Sequence, residues 1–227
     1  MLREIFDNLD LPCDKFEHYF ALYERHFHKF VGRSPRILEI GTQFGGSAEM
    51  WRKYFGEGTL IDGVDIAPQC VETDYLKLYV GDQGSHAFWD AHFGDRRGYY
   101  DIVIDDGSHD NPHQIVSLLR TYDMIKDGGV YWCEDTHTSY YHNSRVADGG
   151  YKNPRSFTEF CKDIVDVMSS EHTRHAIGVG PIAGPQVPPL LVARFDKIQG
   201  MHFYDSIIVI EKGERLPFQR VIHQKKA

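Results

Sequence analysis

Two periodicities of apolar positions alternate along the chain. From Asp14 to Phe30, in DKFEHYFALYERHFHKF, rings recur at three- and four-residue steps as Phe16, Tyr19, Phe20, Tyr23, Phe27 and Phe30. That spacing predicts an amphipathic helix whose aromatic stripe packs on a core. After it come apolar runs of strand length: RILEIG (Arg36 to Gly41), TLIDGVD (Thr59 to Asp65), YLKLYVGD (Tyr75 to Asp82), DIVIDD (Asp101 to Asp106) and GVYWCED (Gly129 to Asp135). Helical or polar stretches separate them, and GGSAEMWRKYF and NPHQIVSLLRTYDMI read as the helices after the first and fourth runs. Alternation of this kind predicts parallel strands joined by crossover helices in a doubly wound sheet. Near the end, IQGMHFY (Ile198 to Tyr204) and SIIVIEKG (Ser206 to Gly213) are separated by Asp205 alone. No helical crossover fits there, so the two predict an antiparallel pair. Gly, Pro, Ser and Asn gather in 136–155 and again in 177–189, which marks both stretches as loops at the mouth of a site.

A length of 227 residues suits one α/β domain, 1–227, with residues 1–35 as an N-terminal helical cap. No stretch approaches the roughly 20 apolar residues of a membrane span. The start, MLREIFDNLDLPCDK, interleaves charged and apolar residues and does not read as a secretory signal, so a cytoplasmic location is expected. A formal net charge of −8 argues against nucleic acid as a partner, since phosphate binding needs a basic face. Cys13, Cys70, Cys133 and Cys161 are far apart and form no C-x-x-C pair, which leaves reduced thiols as the simple reading.

The segment EIGTQFGGS, Glu39 to Ser47, follows a strand and opens a helix. A Gly-rich turn at that place lets a ligand approach the backbone. Gly41, Gly45 and Gly46 do not fit G-x-G-x-x-G, and the turn lacks a phosphate-gripping Lys. The segment resembles the first motif of class I methyltransferases, which implies that Glu39, Gly41, Gln43, Gly45 and Ser47 border S-adenosylmethionine. Asp65, 24 residues beyond Gly41, stands where α/β nucleotide folds place a carboxylate on the ribose hydroxyls of either NAD or S-adenosylmethionine. Asp82 and Gln83 end the third strand, where methyltransferases often face the adenine amine. Each carboxylate alone also reads as a helix-capping residue; three in order after successive strands are harder to dismiss.

The densest chemistry lies in IDDGSHDNPHQ, Ile104 to Gln114, and WCEDTHTSYY, Trp132 to Tyr141. Both end predicted neighbouring strands, so Asp105, Asp106, Glu134 and Asp135 can converge on one crevice. Carboxylates crowded in that way repel unless a cation neutralises them. An oxygen-rich set without thiolates favours Mg²⁺ or another hard divalent ion. His109, in the turn after Asp106, is placed to take a proton from an acidified hydroxyl. Most of the thirteen histidines must be surface or capping residues, and His113 and His137 are weaker candidates.

Seven strands ending in a hairpin resemble the Rossmann-like class I methyltransferase fold. Together with HYFALYERHF, LEIGTQFGGS, GVDI, VGDQ, VIDDGSHDNPHQ, GGVYWCEDTHTSYY and HFYDSIIVIEKG, they resemble the metal-dependent sugar O-methyltransferases of macrolide and aminocoumarin biosynthesis. The resemblance implies that Asp106, Glu134 and Asp135 bind Mg²⁺, that His109 is the general base and that Asp105 lies nearer the cofactor. It implies a small-molecule acceptor bearing a sugar, while a catechol or another bidentate oxygen ligand would suit the same metal geometry. An N-terminal domain known in that family has no counterpart here, so a homo-oligomer is compatible with the sequence but its architecture does not transfer. An NAD-dependent oxidoreductase is disfavoured by the spelling of the turn and by the hairpin. A non-catalytic module is disfavoured by the complete Asp106, His109, Glu134, Asp135 set. Tyr140, Tyr141, His142, Tyr151 and Tyr204 are candidates for stacking on a sugar or for packing a lid.

Overall fold

In a computed structural model, residues 1–142, 149–173, 175–176, 180–181, 183–216 and 220–223 are described. The apolar runs form seven strands: β1 (Arg36–Ile40), β2 (Leu60–Asp65), β3 (Leu76–Val80), β4 (Tyr100–Asp105), β5 (Ile125–Cys133), β6 (Ile198–Tyr204) and β7 (Ile207–Lys212). They make one sheet of order 3-2-1-4-5-7-6. The first five pair in parallel, and β7 runs antiparallel to both β5 and β6. Because β1 lies between β2 and β4, the strand order reverses there, and the crevice beyond the carboxyl ends of β1 and β4 is where such sheets bind ligands.

Helices cover both faces: α1 (Leu2–Asp7), α2 (Tyr19–Phe27) and α3 (Gly46–Phe55), then α4 (His86–Phe93), α5 (Asn111–Thr121), α6 (Phe157–Val165) and α7 (Pro189–Phe195). Alternate side chains of each strand serve the two faces. Ile37, Ile102 and Trp132 pack with Tyr23, Phe27 and Trp51 of α2 and α3. Leu38, Val103 and Tyr131 pack with Trp89, Leu118, Ile164 and Phe195 on the opposite side.

Several elements depart from the sequence expectations. The helix expected over Asp14 to Phe30 is confined to α2 and a short 3-10 turn, His28–Phe30. The chain before it is irregular and lies across α3, where the Asp10 and Leu11 amides donate to Glu49. A separate helix, α1, precedes it. No helix joins β2 to β3, so the crossover between these two parallel strands is one of the polar stretches. β5 begins at Ile125, four residues before the run read from the sequence, because a 3-10 turn at Tyr122–Met124 closes the preceding helix early. In the first expected loop Thr136–Tyr140 forms a 3-10 turn. Residues 143–148 of that loop, and 177–179 and 182 of the second, lie outside the described residues. The four cysteines are free, and among the described residues no helix is long and apolar enough to cross a membrane.

Candidate active site

The site begins at the turn after β1. Gly41 has φ +91°, and a Cβ there would run into the backbone carbonyl of Asp106, so the turns after β1 and β4 touch only because this position lacks a side chain. Gly45, at φ +82°, precedes α3. Asp65 holds the turn: Oδ2 accepts from the Gln43 amide and Oδ1 from the Ala67 amide, each at 2.8 Å. Asp82 accepts from the Gly84 amide at 2.8 Å. A cavity of about 490 Å³ opens here, lined by Gly41, Gln43, Asp65, Asp82 and Gln83, and it continues without a break to Asp106, His109 and Asp135. Candidate cofactor and metal positions therefore share one cleft.

Other expected cofactor positions lie behind its wall. Glu39 is fully buried; Trp51 Nε1 donates to Oε1 at 2.9 Å, while Oε2 has no hydrogen-bond partner. Burial pushes its carboxyl up to about 7. Ser47 is buried, and neither it nor Gly45 lines the cavity. Asp105 is fully buried, accepting from Gln83 Nε2 at 3.0 Å and Tyr131 Oη at 3.1 Å. Gln83 Oε1 in turn accepts from the Ser108 amide at 2.7 Å. The pair thus clamps the turn that carries Asp106 and His109.

The metal candidates receive donors from the N-terminal segment. Lys15 Nζ, with its side chain only 3% exposed, is paired with Asp106 Oδ2 and lies 2.9 Å from Glu134 Oε2. Tyr23 Oη donates to Glu134 Oε1 at 2.5 Å, Trp132 Nε1 donates to the same oxygen at 3.1 Å, and Tyr19 Oη donates to Asp135 Oδ1 at 2.6 Å. The sequence pattern does not show Lys15, Tyr19 and Tyr23 as partners of these carboxylates. Lys15, Tyr19 and Tyr23 recur every four residues, but two of them had been absorbed into an aromatic stripe, and their hydroxyls were the available signal. Burial raises the Asp106 carboxyl to about 6, partly opposed by Lys15, and raises Glu134 to about 7 with help from Asp106. Burial works against the Lys15 ammonium, but the Asp106 and Glu134 charges hold its pKa well above the ordinary value.

His109 Nε2 is 3.5 Å from Asp135 Oδ2, its Nδ1 is buried without a hydrogen-bond partner, and Thr138 Oγ1 donates to its carbonyl at 2.8 Å. Ligand atoms of Asp106, His109 and Asp135 all lie within 4.8 Å of one another. Glu134 stands beside them through Lys15. This set fits a hard divalent ion, because it brings together carboxylate oxygens of the partly buried Asp106 and Asp135 beside buried Glu134 and already holds the Lys15 ammonium. Gln43, His109 and Asp135 have φ of 40°, 58° and 53°, the left-handed region that side-chain-bearing residues rarely occupy, and such strain clusters at functional sites. His113 lines the same cleft, with Nδ1 3.0 Å from Ser108 Oγ. Beyond Asp135 a second cavity of about 430 Å³ is lined by His137, Tyr140, Lys162 and Tyr204. Tyr141 and Tyr151 are exposed, and so is His142.

No protein-family profile matches the chain. It is 30% identical over 225 residues, 93% of its length, to mycinamicin VI 2''-O-methyltransferase of Micromonospora griseorubida, of which it covers 52%. It is 32% identical over 204 residues to 8-demethyl-8-alpha-L-rhamnosyl tetracenomycin-C 2'-O-methyltransferase of Streptomyces olivaceus, covering 86% of this chain and 50% of that protein. Demethylmacrocin O-methyltransferase of Streptomyces fradiae is 30% identical over 84% of this chain and 47% of its own length. The chain spans about half the length of these curated relatives. Among solved structures, MycE methyltransferase in complex with Mg, SAH and mycinamycin VI superposes with a TM-score of 0.74 at 28% identity, over 93% of this chain and 53% of that one. By sequence and by fold, the chain is a homologue of the antibiotic-sugar O-methyltransferases, built on their class I methyltransferase fold.

Proposed function

We propose that this chain transfers a methyl group from S-adenosylmethionine to a hydroxyl of a sugar on a small molecule, with Mg²⁺ as the metal. The observation that carries the reading is the continuity of one cleft from Gly41, Asp65 and Asp82 to Asp106, His109 and Asp135. The cofactor's ribose belongs at Asp65 and its adenine beside Asp82 and Gln83. Mg²⁺ belongs at Asp106, Glu134 and Asp135, and Lys15 must give up its two carboxylates when the ion enters. When bound, the ion acidifies a coordinated hydroxyl and the sulfonium cofactor supplies an electrophilic methyl group. His109 takes the hydroxyl proton at Nε2, and Asp135 Oδ2 at 3.5 Å stabilises the imidazolium that results. Tyr19 and Tyr23 orient Asp135 and Glu134. The second cavity, with Tyr140 and Tyr204, gives the acceptor an aromatic wall.

The described residues form one methyltransferase domain, with 1–35 as its cap and the turn at Thr136–Tyr140 bordering the second cavity. The chain works on a glycosylated acceptor of the kind named for its relatives, without nucleic acid or membrane as partner. Incubation with S-adenosylmethionine, Mg²⁺ and a panel of glycosylated macrolides and rhamnosylated polyketides tests this by the mass gain of one methyl. Chelation should abolish that gain. Methylation indifferent to chelator, or a protein not stabilised by S-adenosylhomocysteine in a thermal melt, overturns the reading.

A further inference from the structure

Away from the cleft, a second cluster of metal-ligating side chains lies where α2 crosses the terminal hairpin. It comprises His26 of α2, His202 of β6 and Glu211 of β7, whose ligand atoms all lie within 4.8 Å of one another. His26 Nδ1 is 3.7 Å from Glu211 Oε1, and His202 Nε2 is 3.3 Å from Glu211 Oε2. Both separations exceed the roughly 2.7–3.2 Å of sound N–H···O bonds. The His202–Glu211 separation matches the edge of a tetrahedron around Zn²⁺, where ligands about 2.0–2.1 Å from the ion are about 3.3 Å apart, and the His26–Glu211 separation is slightly longer. His202 Nε2 is a buried atom without a hydrogen-bond partner. The two imidazole centroids are 4.7 Å apart.

The outer contacts fit the same role. His26 Nε2 lies 2.9 Å from the Tyr204 hydroxyl. When that nitrogen donates to Tyr204, the Nδ1 lone pair faces the Glu211 carboxylate, and a cation between two acceptors opposed in this way satisfies both. Metal-ligating histidines are commonly oriented by such a bond on the second nitrogen. Burial and the neighbouring His202 hold His26 below its ordinary pKa, favouring the neutral ring that binds metals. The side chains of His202 and Glu211 are 37% and 34% exposed, which leaves a route of entry.

We propose that His26, His202 and Glu211 bind a divalent transition ion of the zinc class, which ties α2 to the β6–β7 hairpin and keeps a fourth position open to water or an external ligand. Two imidazoles and one carboxylate select Zn²⁺ over Mg²⁺, the reverse of the carboxylate-rich cleft.

The test is a calorimetric Zn²⁺ titration of chelator-stripped protein in millimolar Mg²⁺, with Co²⁺ as a spectroscopic probe. Wild type, Asp106→Asn, His202→Ala and Glu211→Gln are compared. Wild type and Asp106→Asn should each take one equivalent of Zn²⁺ and give the intense visible bands of low-coordinate Co²⁺. Affinity in His202→Ala and Glu211→Gln should fall by more than the roughly 10–100-fold that an outer contact costs. Glu211→Gln is nearly isosteric and decides the matter if His202→Ala melts without metal. Absence of Zn²⁺ uptake by wild type, uptake unchanged in the two cluster variants, or uptake lost in Asp106→Asn alone would overturn the proposal.

Discussion

The ammonium of Lys15 sits between Asp106 and Glu134, carboxylates that sequence reasoning assigned to a metal. In the metal-free chain it supplies the positive charge that these groups need, so its removal acts oppositely on stability and on metal affinity. Lys15→Met should cost about 3 kcal/mol in chelator, the scale for stranding one side of a buried ion pair, as read by urea denaturation. The same variant should bind Mg²⁺ more tightly in calorimetry, because the ion no longer displaces an ammonium; weaker binding would show that Lys15 and the ion share the site. His109 makes a different demand. Its position beside Asp135 serves proton transfer, so His109→Ala should lower turnover by about 10²–10⁴-fold and leave S-adenosylhomocysteine affinity unchanged.

At the scale of elements, the turns after β1 and β4 meet at Gly41, where a Cβ would enter the Asp106 carbonyl. Gly41→Ala should therefore cost about 1–3 kcal/mol in strain and also weaken S-adenosylhomocysteine binding, measured by denaturation and calorimetry. This part of the architecture was legible in the sequence, because parallel strands covered on both faces read as continuous apolar runs and place their chemistry at their carboxyl ends. Asp65, Asp82, Asp106 and His109 could be located for that reason. The approach of Lys15, Tyr19 and Tyr23 was not legible. The aromatic period ran unbroken through residues 14–18, yet that stretch leaves the helix to reach the cleft. His26, His202 and Glu211 were hidden differently: they come from distant segments that only the pairing of β6 with β7 and the packing of α2 unite. Asp105 was a strand-end carboxylate like its neighbour, but strand alternation turns it inward to Gln83 and Tyr131.

For the whole molecule, the buried acids set how stability responds to pH. Burial raises the Asp106 carboxyl to about 6 and those of Glu134 and Glu39 to about 7, all above the ordinary carboxylate values that hold in the unfolded chain. Between those unfolded values and pH 7 the folded state binds more protons than the unfolded state, so its stability falls as pH rises. The contribution of these groups is fully present below the unfolded pKa values and is lost as pH passes through the folded ones. This is opposite in sign to the usual salt-bridged carboxylate. In chelator, the unfolding free energy should have a component that declines from about pH 5 to about pH 8, and Glu134→Gln should reduce that decline. Mg²⁺ binds the deprotonated carboxylates and competes with the protons, so its stabilising effect should be small near pH 5 and grow toward pH 8. Urea denaturation across this range, with and without Mg²⁺, reads both slopes. A metal effect equal at both ends would mean that Asp106 and Glu134 are not its ligands, whatever else the cleft binds.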